Sequence, residues 1–143
     1  MRIVQTPPEV SMCVGCNACE IVCGLVHEGK AGPSVRRIFL ERDTILMDHH
    51  VHTCQHCPDH PCYDACPEKG DAMCLDEEKG IVYVNPEGCI GCGLCVEACP
   101  YEPKRINFDE MSQKAVKCDL CRTRKEGPAC VEFCQVRCIG LIE

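Results

Sequence analysis

The sequence predicts an α+β fold closed around whatever its cysteines bind, and three observations predict it. Cysteine supplies 18 of the 143 residues, while three Tyr, three Phe and no Trp make up the aromatic content. A chain of this length ordinarily buries one hydrocarbon core, but much of its 45% apolar content is cysteine itself. Sixteen cysteines fall into four groups of four, and short β-branched stretches with turn residues separate the later groups. Short strands, single helical turns and bonded cysteines are the expected parts.

In chain order, the first group is Cys13, Cys16, Cys19 and Cys23, preceded by an arm in which Pro7-Pro8 reads as extended. The second group is Cys54, Cys57, Cys62 and Cys66, followed by Pro67. A hairpin is expected next, from Ala72 to Leu75 and from Ile81 to Val84, with Asp76 to Gly80 as its turn. The third group is Cys89, Cys92, Cys95 and Cys99, followed by Pro100. A similar two-strand unit, Arg105 to Phe108 and Lys114 to Lys117, leads into Cys118, Cys121, Cys130 and Cys134. A short helix is expected after each group's last cysteine, with Pro100 in the first turn of one, where a missing N–H costs nothing.

Disulfides, zinc and iron–sulfur clusters are the three ways to use such cysteines. The N-terminus carries no signal-peptide run, the pair Arg36-Arg37 is internal, and no apolar stretch approaches membrane-helix length. The chain therefore reads as soluble and cytoplasmic, where thiols stay reduced and dense cysteines mean metal. Zinc sites use separated ligand pairs closing one tetrahedron, which four consecutive quartets do not resemble. The third group matches the bacterial ferredoxin run C-x2-C-x2-C-x3-C-P at every position. In that run three cysteines wrap one cube and the fourth ligates a second, so runs work in pairs. Gly91 and Gly93 suit the loop, letting backbone amides approach the sulfurs.

The quartets can pair as neighbours or nested, second with third and first with fourth. Nesting is favoured because both inner quartets end in Cys-Pro, whereas the outer two end in Cys23-Gly24 and Cys134-Gln135. The domain reading that follows is two bacterial-ferredoxin-like lobes, one nested within the other. Residues 51–100 form the inner lobe, and residues 1–50 and 101–143 form the outer.

Four cysteine groups in this order resemble the four-cluster electron-transfer subunits of molybdenum and tungsten oxidoreductases, of the kind serving dimethyl sulfoxide reductase and formate dehydrogenase. The strings Thr53-Cys54-Gln55-His56-Cys57, Gly88-Cys89-Ile90-Gly91-Cys92, Cys99-Pro100-Tyr101 and Lys117-Cys118-Asp119-Leu120-Cys121 carry that resemblance. The short length and the string from Cys19 to Gly29 are more similar to the small subunit of tungsten aldehyde oxidoreductases or class II benzoyl-CoA reductases. The resemblance implies the nested ligand sets. Cys13, Cys16, Cys19 and Cys134 would hold one cluster, and Cys118, Cys121, Cys130 and Cys23 its lobe partner. Cys54, Cys57, Cys62 and Cys99 would hold the third, and Cys89, Cys92, Cys95 and Cys66 the fourth. No quartet position is replaced by another residue type, so four [4Fe–4S] clusters are expected.

Cys74 and Cys138 remain outside the quartets. Both read as small buried residues, although the spacing Cys130-x3-Cys134-x3-Cys138 lets Cys138 substitute for Cys134. His49, His50, His52, His56 and His60 gather around the second quartet and read as solvated or cluster-flanking side chains. Lys117, Arg122, Arg124 and Lys125 are expected to surround Cys118 and Cys121 and to raise the potential there.

The net charge of −7 argues against a nucleic-acid partner. No triad, phosphate loop or dinucleotide fingerprint is present. The expected function is an electron relay rather than an enzyme, passing single electrons between a larger catalytic Mo/W-pterin subunit and a second redox partner. A free-standing polyferredoxin carrier serving hydrogenase, formate dehydrogenase or carbon monoxide dehydrogenase is the alternative, and a zinc-stabilised interaction module is a more distant one.

Overall fold

The structure, a computed structural model, describes residues 1–6 and 12–143. The expected extended arm at Pro7-Pro8 lies outside the described residues. Eight strands pair as four two-stranded antiparallel sheets. They are β1 (Arg2–Gln5) with β8 (Ile139–Ile142), β2 (Phe39–Asp43) with β3 (Asp48–His52), β4 (Met73–Asp76) with β5 (Ile81–Val84), and β6 (Ile106–Asp109) with β7 (Lys114–Lys117).

Three of these sheets are hairpins built alike. Each first strand ends in an aspartate, Asp43, Asp76 or Asp109, whose carboxylate accepts backbone N–H groups of its own turn at 2.9–3.4 Å. Such local capping is why aspartate favours turns. The residue before each second strand is left-handed, at Met47, Gly80 and Gln113, the geometry of a type I turn closed by an αL residue. The expected 72–75/81–84 and 105–108/114–117 hairpins are both present, each first strand displaced by one residue.

The pairing of the two ends, Arg2↔Ile142 through Gln5↔Ile139, was not expected from sequence, nor was the β2–β3 hairpin. β1 is tied to β3 by side chains: the Gln5 amide donates to His49 O and accepts from Val51 N, both at 2.9 Å, and Thr53 Oγ1 donates to Ile3 O at 2.7 Å.

The helices correct the sequence reading. α1 (Ala18–Glu28) spans the third and fourth cysteines of its group, while α2 (Pro61–Asp64), α3 (Leu94–Glu97) and α4 (Ala129–Glu132) each begin one residue before the third cysteine and end two before the fourth; none begins after the fourth. The x3 spacing is itself one helical turn, so the helix joins the last two thiols. Pro100 and Pro67 stand just beyond α3 and α2 rather than inside an outgoing helix, where a proline ends a helix and holds the preceding residue extended. α1 is longer, at 11 residues, and stops at left-handed Gly29, whose N–H donates to Leu25 O at 3.1 Å.

Hydrocarbon packing forms two small cores, and cysteine belongs to both. Ile3, Ile38, Ile81 and Ile139 pack with Cys19, Cys23, Cys54, Cys118, Cys130 and Cys138. Met73, Val82, Ile106 and Ala115 pack with Cys62 and Cys95. Each core draws on both the 51–100 span and the flanking segments, so neither span closes its core alone.

Candidate metal centre

Every cysteine is a free thiol, and the quartet thiols converge on concave sites. Cys54, Cys57, Cys62 and Cys99 line one cavity, with His56, His60, Tyr101, Arg105 and Lys117 around them. Cys66, Cys89, Cys92 and Cys95 line a second. Cys13, Cys16, Cys19 and Cys134, joined by Cys138, line a third. Cys23, Cys118, Cys121 and Cys130 are all buried. Cys23 and Cys121 each push the Cys130 thiol upward, and Cys130 and Cys23 do the same to Cys118.

The helical turns explain how cysteines far apart in sequence meet. Residues at i and i+4 share one helix face. Cys62, Cys95 and Cys130 sit in α2, α3 and α4, and Cys66, Cys99 and Cys134 stand one turn on, just beyond each helix, so that each pair is divided between two sites. Cys19 and Cys23 do the same within α1.

Loop geometry brings backbone amides to the sulfurs. The amides of Arg37, Arg105 and Cys138 donate to Cys23, Cys99 and Cys134 Sγ at 3.3 Å, and that of His56 donates to Cys54 Sγ at 3.4 Å. Gly91 and Gly93 both adopt positive φ, at 73° and 79°. A Cβ on Gly91 would run into the Gln113 carbonyl oxygen, so glycine is required there for space as well as for conformation.

The donor set fits iron. Burial, then repulsion among neighbouring groups, pushes the Cys19 and Cys95 thiols up to about 12 and those of Cys62 and Cys23 to about 11. Each of the four sets holds one of these buried thiols, and a bound cation would favour its thiolate. Soft sulfur donors in fours select zinc or iron–sulfur centres, and the helical turns that share cysteines between sites match the paired-cube run.

The structure redistributes the charges expected around Cys118 and Cys121. Lys117, 2% exposed, turns its ammonium into the Cys54/Cys57/Cys62/Cys99 site. There it donates to Val82 O at 2.5 Å and lies 3.4 Å from His56 Nδ1. Arg122 stacks on the Tyr83 ring at 3.8 Å, and Arg124 pairs with Glu132 at 2.6 Å; burial raises the Cys121 thiol, and the Arg124 charge offsets part of that rise. Arg37 and His27, to which sequence reading assigned no role, also stand there. The Arg37 guanidinium is 3.4 Å from Asp119, and His27 Nε2 is 3.4 Å from Cys121 Sγ. The signal for His27 was its position one helical turn beyond Cys23 on α1.

The histidines divide as well. His49 and His56 are buried, and His56 is held down to about 3 by burial and by the Lys117 charge. His50 is exposed, and His52 contacts Glu41 at 2.7 Å. Cys74, on β4, contacts the carbonyls of Gly70 and Asp71 and lines none of the cysteine-rich cavities.

A family model described as the 4Fe-4S dicluster domain matches residues 45–143, and a 4Fe-4S binding domain matches residues 11–26. The aliphatic sulfonate oxidoreductase, polyferredoxin-like subunit of Pyrococcus furiosus is 45% identical over 133 residues, covering 92% of this chain and 70% of its own. The putative electron transport protein YsaA of Escherichia coli is 34% identical over 140 residues, covering 94% and 87%. Among solved structures, the active site complex BamBC of benzoyl coenzyme A reductase with benzoyl-CoA contains a chain of the same fold. The match has a TM-score of 0.51 and 23% identity, over 97% of this chain and 79% of that one. Among the described residues, no helix is long and apolar enough to cross a membrane.

Proposed function

The chain belongs to the 4Fe-4S dicluster-domain family, and from that membership we propose that it is an electron-relay subunit holding four [4Fe–4S] clusters. The observation that carries the reading is the set of three cavities, each lined by four quartet cysteines drawn from two groups. The proposed holders are Cys13, Cys16, Cys19 and Cys134; Cys23, Cys118, Cys121 and Cys130; Cys54, Cys57, Cys62 and Cys99; and Cys66, Cys89, Cys92 and Cys95. The cavity linings support three of these sets, and mutual burial supports the fourth. Bound there, the clusters would supply one-electron oxidation and reduction.

The residues supply spacing, burial and polarity. Electrostatic contact between sets gives an order: Cys95 feels Cys62, Cys118 feels Cys54, and Cys130 feels Cys19. The sets thus run from Cys66/Cys89/Cys92/Cys95, through the Cys54 and Cys118 sets, to Cys13/Cys16/Cys19/Cys134. The two exposed quartet cysteines, Cys92 and Cys16, belong to the two ends. The Cys54 and Cys118 sets between them are buried except for the half-buried Cys57, and their amides and cations offset the sulfur charge. Substrate chemistry is left to a partner, since each proposed iron already has a cysteine.

We assign the partner as a larger catalytic subunit of the Mo/W-pterin type in the cytoplasm. The name of the Pyrococcus relative, a subunit of an aliphatic sulfonate oxidoreductase, supports a catalytic partner. The name of YsaA favours a second reading, a free electron carrier. Gel filtration of the natively purified protein in high salt separates them. A relay subunit stays with a chain several times its mass that contains molybdenum or tungsten and pterin; a carrier runs alone at 15.9 kDa. Colourless protein containing zinc and no iron would overturn both readings.

A further inference from the structure

Cys138 stands outside the four quartets, yet it lies in one of their cavities. It is 2% exposed and lines the same site as Cys13, Cys16, Cys19 and Cys134. Its Sγ is 3.6 Å from that of Cys134, and its own amide donates to Cys134 Sγ at 3.3 Å. The linings of the Cys54 and Cys66 sites hold four cysteines each and no fifth. The contrast with Cys74 is direct, because that thiol faces main-chain carbonyls.

The backbone explains why Cys138 can stay so close. Cys134 follows α4, and residues 135–137 turn the chain back, with Arg137 left-handed and its amide donating to Cys134 O at 3.1 Å. β8 begins at Ile139 and is clamped by its pairing with β1, and Thr6 N donates to Cys138 O at 2.7 Å. Cys138 is therefore held by a strand junction, not by the helix that carries Cys134. Loss of the Cys134 side chain would leave that junction in place.

We propose that Cys138 is a reserve ligand, able to bind the iron that Cys134 serves in the Cys13/Cys16/Cys19 site. The inference rests on the assignment of a [4Fe–4S] cluster to that site. In the exchange one iron–Sγ bond to Cys134 is replaced by one to Cys138. The Cys138 thiol gives up its proton and the departing Cys134 thiolate takes one up, so the exchange releases no net proton and no electron moves. When Cys134 is absent from the start, Cys138 makes the bond directly and releases its thiol proton to solvent. The site then tolerates modification or loss of one ligand without losing its cluster.

The test is cluster content of the whole protein, purified and reconstituted without oxygen, as Cys134→Ala, as Cys138→Ala and as the double variant. Iron and sulfide are counted per chain, and electron paramagnetic resonance detects any three-iron cluster. Each single variant is expected to keep the wild-type iron content with no three-iron signal, and the double variant to lose one cluster. A Cys134→Ala chain as depleted as the double variant, or showing a three-iron signal, would overturn the proposal. Depletion in Cys138→Ala alone would also overturn it, by making Cys138 the sole ligand. If Cys134→Ala cannot be purified, Cys134→Ser with and without Cys138→Ala gives the same comparison, and equal depletion in both again overturns it. Wild-type protein without iron would instead defeat the underlying cluster assignment.

Discussion

Replacing Lys117 by Met should lower the reduction potential of the cluster proposed at Cys54, Cys57, Cys62 and Cys99. Met keeps much of the length and volume of Lys and removes its charge. The Lys117 ammonium lines that site, and its charge lowers the Cys62 thiol. A cation held there favours the reduced cluster, which is one charge more negative. At a separation of about 7 Å and an effective dielectric of about 20, the interaction is about 2 kcal/mol. For one electron that corresponds to about 100 mV, at 59 mV per tenfold change in equilibrium. The lost donor to Val82 O should also cost about 1–3 kcal/mol of stability, so the variant is best kept cold and anaerobic. A redox titration followed by electron paramagnetic resonance compares it with wild type. One potential should fall by about 100 mV, with a smaller fall at the adjacent Cys118 site. Four unchanged potentials, an upward shift, or a shift confined to the Cys13 site would refute the electrostatic role.

Three further outcomes are expected. Cys99→Ser should deplete the cluster held with Cys54, Cys57 and Cys62 and spare the one held by Cys89, Cys92 and Cys95; loss of only the latter in iron counts and redox titration would show each quartet to be self-contained. Gly91→Ala should lower the melting temperature by several degrees, because an L-residue at φ 73° costs about 1–2 kcal/mol before its clash with Gln113 is added; calorimetry showing no change would place that loop differently. Stripping iron with a chelator under reducing conditions should abolish most of the native circular dichroism, since few hydrocarbon side chains remain to close either core; an unaltered spectrum would mean that the polypeptide folds without its clusters.

Much of the architecture could be read from cysteine spacing and turn chemistry. The hairpins at 73–84 and 106–117 were visible because β-branched residues flank turns capped by Asp76 and Asp109. The β2–β3 hairpin has the same aspartate at Asp43, but its tip is Ile45-Leu46-Met47, apolar and exposed, and its second strand holds three histidines. Neither matches a turn-and-strand composition. The β1–β8 pairing spans the entire chain, and no local pattern reports such a contact. The helix misplacement came from treating Cys-Pro as a helix start, when the x3 interval had already used the helical turn.

Side-chain direction was the least legible feature. Lys117 is next to Cys118 in sequence, so its charge was assigned to that quartet. Alternation along β7 instead sends it across to Cys62. Arg37 and His27 reach Asp119 and Cys121 from segments about 80 to 95 residues away in sequence. Only the folded chain brings them there. For Cys138 the spacing permitted a role, while its approach to Cys134 depends on the strand junction that precedes β8.

The most direct measurement is iron and acid-labile sulfide per chain in protein purified without oxygen, read together with its Mössbauer spectrum. Four cysteine-held cubes predict about sixteen of each, with every iron in a tetrahedral sulfur site. About eight irons, or zinc in place of iron, would contradict the four-site arrangement.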